Sequence, residues 1–311
     1  MAKKKVRIGQ TIALIPEAGS AIRPEWLLDG QSGNTNFPYS KYKALATVGE
    51  VDAKTKLGLT GYPDGQAAWL LDDNTVRVAY QSESYANVTG TRTPEPETYP
   101  RELKTGVTFT GSRIHTIDYA RDAFADFMGN DSAASDMVKG SGFLFNRAFN
   151  LFGKEVTPKN TDPADLAAKW GNQTLPSGEI VEFGTPLSDA DFFFHSFCGA
   201  WYEPANRYGE GQGFSDDIWL MAEEWDIGED NFAPGVAGEA VANETMGLAA
   251  MAVDVANEVA YSVPALGQTG YEKIAPLNTG ESDYVVVVTA GYNHGQDPAP
   301  LKIYVGRKGY D

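Results

Sequence analysis

Short runs of alternating apolar and polar residues, cut by Gly, Pro, Asn and Asp, dominate the chain. "NTVRVAYQSES" (74–84) follows "LDDN" and is rich in β-branched residues, which suit a pleated, half-buried strand. Asp72 and Asp73 are read there as turn formers. "GVTFTGSRIHTIDYA" (106–120) holds two further alternating runs. The last third is clearer. "DIWLMAEEW", "GLAAMAVDVAN", "EVAYSVPAL", "DYVVVVTAG" and "LKIYVGRK" succeed one another with turn residues between them. "DVANEVAYSV" reads as a hairpin about Ala256–Asn257–Glu258, without the favoured Asn-Gly pair. Strands at this spacing predict an all-β sandwich, barrel or propeller.

Helical periodicity is sparse. "NTDPADLAAKW" (160–170) offers Thr161 or Asp162 as N-cap, Pro163 in the first turn, and Leu166 and Trp170 on one face. "YARDAFADFM" (119–128) groups Phe124, Phe127 and Met128 on one side. From about 128 to 190 the chain is polar, Gly/Pro-rich and poorly periodic. This predicts a long irregular insertion with one or two short helices, inside a single domain spanning 1–311.

Composition narrows the partners. A net charge of −17 opposes nucleic acid or an anionic membrane, whose phosphates it would repel. It suits cation binding or, more plainly, an acidic surface in a salty exterior. No stretch approaches the roughly 18 apolar residues of a membrane helix, so no membrane insertion is expected. "MAKKKVRIGQTIALIP" is basic, but its apolar run is shorter than the roughly 7–15 residues of a signal-peptide core. The expectation is an extracellular or surface-associated protein with no cleaved signal evident.

Two stretches carry candidate chemistry. "GFSDDIWLMAEEWD" (213–226) places Asp216 and Asp217 before one apolar strand, and Glu223 and Glu224 directly after it. They either cap the strand in solvent or converge on cations. The single cysteine, Cys198, excludes an intramolecular disulfide and sits in "DADFFFHSFCGAWYEP" (189–204), with Asp189, Asp191 and His195 nearby in sequence. A thiolate among carboxylates suits iron, and carboxylates without sulfur suit calcium. The plainer reading of Cys198 is a small buried apolar residue. No zinc-finger spacing, Walker loop, HExxH or GxSxG occurs, and three histidines form no recognisable hydrolytic triad.

Four segments, in order, resemble the PhoX-type alkaline phosphatases and their phytase-like β-propeller relatives. They are "LATVGEVDAKTKLGLTGYPDGQAAWLLDDNTVRVAYQSES" (45–84), "FHSFCGAW" (194–201), "DDIWLMAEEW" (216–225) and "YSVPALGQTGYEKIAPLNTGESDYVVVVTAG…LKIYVGRK" (261–308). Within the first, a Pro-Asp-Gly turn is expected before the strand. The resemblance covers roughly half the chain and implies a propeller-like fold, partial or shortened at this length. It also implies calcium and iron around a phosphate ester substrate. Carried over, Cys198 would be an iron ligand, with Glu223, Glu224, Glu272 and Glu83 as further metal ligands. The ions would neutralise the carboxylates, clamp the phosphate and polarise an oxygen nucleophile.

Departures from the pattern are specific. Gln81–Ser82–Glu83 stands where the family has Asn-His-Glu, and Gly291–Tyr292–Asn293 stands where an acidic pair belongs. A partial propeller leaves sheet edges to be covered by the insertion, by a partner or by self-association. The alternative is therefore a non-catalytic structural protein of a surface, extracellular fibre or virion on the same β scaffold.

Overall fold

The computed structural model describes residues 7–11, 43–83, 101–109, 112–130, 132–150, 153–158, 173–174, 180–181, 197–223, 250–267, 270–291 and 301–309. These residues are mostly β, in several sheets of which none closes on itself. The chain clusters into two compact units, one of residues 1–59, 68–78 and 116–142, the other of residues 60–67, 79–115 and 143–311.

The first sheet has the order β1-β2-β5-β6, formed by β1 (Tyr62–Asp72), β2 (Thr75–Glu83), β5 (Arg113–Ala120) and β6 (Val138–Phe143). A small pair, β3 (Arg101–Glu102) and β4 (Thr108–Phe109), lies between them in sequence. Two expectations change here. Pro63–Asp64–Gly65 is not a turn but the beginning of β1, an edge strand, where a proline's missing N–H breaks no ladder. The expected insertion from 128 also begins inside the fold. Val138–Phe143 is a sheet strand, and β7 (Arg147–Phe149) pairs in parallel with a later strand. Gly140 and Gly142 in "VKGSGF" had masked that strand's apolar signal. The "YARDAFADFM" segment is helical as α1 (Phe124–Gly129), after one 3-10 turn, with Phe127 buried. The helix read at 160–170 lies outside the described residues.

In the first unit, buried Glu50 of "TVGE" fixes the local chain. Its carboxylate accepts from the N–H groups of Gly9 (2.7 Å), Thr11 (2.9 Å) and Thr47 (2.9 Å) and from the Thr11 hydroxyl (2.6 Å). Arg77 on β2 grips Asp118 on β5 through two parallel bonds of 2.7 and 2.9 Å.

The second unit contains a five-stranded sheet of order β10-β11-β12-β13-β7, with β10 (Trp201–Glu203), β11 (Ile218–Ala222), β12 (Ala250–Asp254) and β13 (Val259–Ser262). A two-stranded ladder of β8 (Gln173–Thr174) and β9 (Ile180–Val181) precedes it in sequence. The third sheet is an antiparallel meander of β14 (Tyr271–Leu277), β15 (Tyr284–Gly291) and β16 (Leu301–Arg307). The expected hairpin forms, with Asp254 paired to Val259. Without glycine, its turn places Glu258 at φ 56°, and Asp254 secures it by accepting from the Asn257 backbone and side-chain amides.

Strand β11 explains how the second unit is layered. All but its first residue are fully buried, so both faces are covered. Leu220 and Ala222 pack with Ala250, Leu266, Tyr271, Ile274 and Val287, joining the second sheet to the third. Trp219, with no exposed surface, belongs to the alternate face, where its indole N–H donates to Gln81 of β2 at 2.9 Å. The outer strand β16 is different. Leu301, Ile303 and Val305 alternate along it at 79%, 65% and 58% exposure.

Candidate functional site

The four acids around β11 have separate fates. Asp217 accepts from the Tyr202 hydroxyl and the Ala205 N–H, both at 2.8 Å, and so braces the connection from β10. Asp216 is exposed beside the Ser215 hydroxyl. At the other end Glu223 is buried, and Glu224 lies outside the described residues.

Around Glu223 the fold gathers segments far apart in sequence. Phe197 and Glu223 form an antiparallel bridge, which spaces their Cα atoms by about 5 Å. Cys198 follows immediately. The Tyr271 N–H donates to the Glu223 carbonyl at 2.8 Å, bringing in the start of β14. The amide of Gln81 donates to the Cys198 carbonyl, and Lys273 Nζ donates to the Ala200 carbonyl. Two glycines permit this proximity. A Cβ on Gly199 would lie 2.2 Å from the Glu272 carbonyl oxygen, and one on Gly65 would lie 2.3 Å from the Ala200 nitrogen. Residues 197–200 are thus threaded among the ends of β1, β2, β11 and β14.

The side chains divide differently. Cys198 is half-buried, Glu223 buried, Glu83 half-buried at the end of β2, and Glu272 exposed. Glu272 is the second residue of β14, at a β-bulge, because pairing passes from Tyr271–Gly291 directly to Lys273–Ala290. Bulges re-aim side chains at strand ends. Gly291, which stands where an acid belongs in the resembled pattern, is the partner of Tyr271 and supplies no ligand. Among the described residues, no group of three or more His, Cys, Asp or Glu side chains is gathered to hold a metal. Among the described residues the convergence therefore lies in the backbones. Asp189, Asp191 and His195 lie outside the described residues.

Sequence reasoning passed over the polar layer behind this junction. His115, fully buried in β5, stacks on Tyr80 with ring centroids 5.0 Å apart. Its Nε2 faces the Thr60 N–H at 3.3 Å and the Thr60 hydroxyl at 3.0 Å. Since a backbone N–H can only donate, Nε2 accepts and Nδ1 carries the proton. Burial, and then the charges of Arg113 and Arg101, hold this imidazole well below its ordinary value of 6.5. Above about pH 6.5 the folded and unfolded chains are both neutral at this position. Below it only the unfolded chain takes up the proton, so stability falls by about 1.4 kcal/mol per pH unit. The apparent melting temperature between about pH 7.5 and 5 is expected to fall more steeply for the native chain than for His115→Gln; equal slopes would remove His115 as the cause.

No family model matches the chain, and neither does any curated protein or solved structure.

Proposed function

We propose that this chain is a metal-dependent phosphoric ester hydrolase on a propeller-like scaffold, with Cys198 and the adjacent strand-end glutamates as its metal ligands. The observation that carries this reading is the gathering of Gln81–Glu83, Phe197–Ala200, Glu223 and Tyr271–Lys273 at one junction. These are the positions that the resemblance assigns to the metal pocket. Three antiparallel meanders, β1-β2-β5-β6, β10 to β13 and β14 to β16, also suit the blades of such a scaffold. Calcium and iron bound there would neutralise the carboxylates and hold and polarise a phosphate ester. The chain's own residues fix the frame: Gln81 and Lys273 hold the carbonyls on either side of Gly199, and the bulge at Glu272 breaks the strand's side-chain alternation beside Gly199.

The test is elemental analysis of the purified full chain together with turnover of a chromogenic phosphate monoester. Calcium and iron are expected to copurify, chelation to abolish turnover, and Cys198→Ser to lower iron affinity at least about tenfold. Protein that takes up neither metal and stays inert with both supplied would contradict the reading.

A second reading, a non-catalytic protein that self-assembles at a surface, in an extracellular fibre or in a virion, has its own observation. The edge strand β16 exposes Leu301, Ile303 and Val305 in one stripe. Unpaired edge groups with apolar neighbours recruit further strands. This reading expects sedimentation to reveal association that rises with concentration and is suppressed by Ile303→Lys. A monomer at high concentration would end it.

A further inference from the structure

We infer that the first unit carries a binding site for a small tetrahedral oxyanion, inorganic phosphate or sulfate, between Arg7, Lys54 and Lys139. A concavity of about 150 Å³ opens there, lined by these three cations together with Asp52, Ser135 and Gly140. All of its lining belongs to the first unit. The whole chain carries 42 acidic against 25 basic residues, so three cations around one carboxylate reverse the bulk charge. The basic opening "MAKKKVR", which the proposed function does not use, ends in sequence at Arg7.

Backbone contacts build the frame. Arg7 forms a parallel bridge with Val51, and Gly9, at φ 73°, accepts from the Ser135 N–H at 2.8 Å. A Cβ on Gly9 would lie 2.6 Å from that nitrogen, so the two walls are in close contact. Asp52, 6% exposed, accepts from the Lys54 N–H at 2.6 Å, the Thr55 N–H at 2.9 Å and the Ser141 hydroxyl at 2.7 Å. These bonds shape the turn that carries Lys54 and pin it to β6, where Lys139 shares a face with Ser141. Asp52 thus serves the frame. Among the described residues, the Arg7 guanidinium and the Lys54 ammonium meet no acid within ion-pair reach, and Lys139 donates to the neutral Thr75 hydroxyl. Asp72, whose charge reaches Lys139, is itself engaged by the Asn74 N–H at 2.7 Å. The concavity holds about five water molecules' worth of space, which suits a single phosphate and excludes a nucleotide. An arginine fork can take two oxygens of such an anion while the lysines act as point charges. Larger polyanions would meet the chain's overall charge of −17.

The experiment is calorimetric titration of the metal-free full chain with inorganic phosphate, and separately with sulfate, at low ionic strength. Chelation removes any contribution from the proposed metal site, so the two proposals fail separately. Saturable binding is expected with half-saturation near or below about 1 mM, weakened several-fold at physiological salt. Arg7→Gln, Lys54→Gln and Lys139→Gln should each weaken it at least about threefold, and the triple variant should abolish it. All three side chains are exposed, so the variants should keep the native circular dichroism. Lys56→Gln removes the same charge from the same turn but outside the lining, and should leave binding within about twofold of native. No saturable response to either anion, or a loss in Lys56→Gln equal to that in Lys54→Gln, would overturn the inference. Phosphatidate vesicles form the second arm, and the chain should stay off them. Capture by vesicles without any response to the free anions would overturn the assignment to a small soluble ligand.

Discussion

Trp219→Ala is expected to cost about 3–5 kcal/mol of folding stability from the emptied volume alone. The side chain is fully buried in a strand covered on both faces, and its indole N–H is bonded to a fully buried amide oxygen. Removing it leaves the Gln81 oxygen without that donor, which adds about 1–3 kcal/mol. Against a typical total of about 5–15 kcal/mol, much of the second unit should be unfolded or aggregated at ordinary temperature. Trp219→Phe separates the two contributions, since it retains most of the volume and loses the bond, and should cost about 2 kcal/mol. Urea unfolding followed by circular dichroism checks both. A Trp219→Ala midpoint within error of the native chain would show that β11 is not the buried centre described above.

Gly199→Ala is the second large effect. An added methyl would lie 2.2 Å from the Glu272 carbonyl oxygen and 3.0 Å from Lys273, and the first of these is backbone that cannot swing aside. Relief requires about 1 Å of separation between residues 197–200 and the start of β14, at the upper end of the roughly 1–3 kcal/mol typical of overpacking. That movement would also strain the bond from Tyr271 to the Glu223 carbonyl. The expected result is a lowered urea midpoint together with faster reaction of the Cys198 thiol. Gly65→Ala should act likewise from the other side, through its 2.3 Å approach to Ala200. Gly140→Ala, whose methyl would meet nothing within 4 Å, is the matched control and should be neutral. A Gly199→Ala protein as stable as that control would mean the two segments do not touch.

The parts of this fold that were legible in the sequence share a physical cause. β11 is a continuous apolar run because both its faces are buried, and the mostly apolar β12 and β15 likewise announce themselves without alternation. β1, β6 and β14 were harder. In β1 the local signal of Pro63–Asp64–Gly65 favours a turn, and tertiary pairing overrides it. Gly65 is there because Ala200 passes against it, a reason no local window contains. β14 carries Glu272, Lys273 and Pro276 among its apolar residues and adds a bulge, which breaks the period of two at the point of interest. The four segments of the ordered resemblance touch at Gln81, Cys198, Glu223 and Tyr271. Nothing in it anticipated the amide of Gln81 joining Trp219 to Cys198, because a contact between residues so distant in sequence leaves no spacing to read.

The most direct test of the account is X-ray absorption at the iron edge on protein loaded with iron and calcium. The account predicts a sulfur scatterer in the first coordination shell, from Cys198, that disappears in Cys198→Ser while the lighter oxygen shell remains. Iron bound with oxygen and nitrogen neighbours alone, unchanged by that substitution, would contradict it.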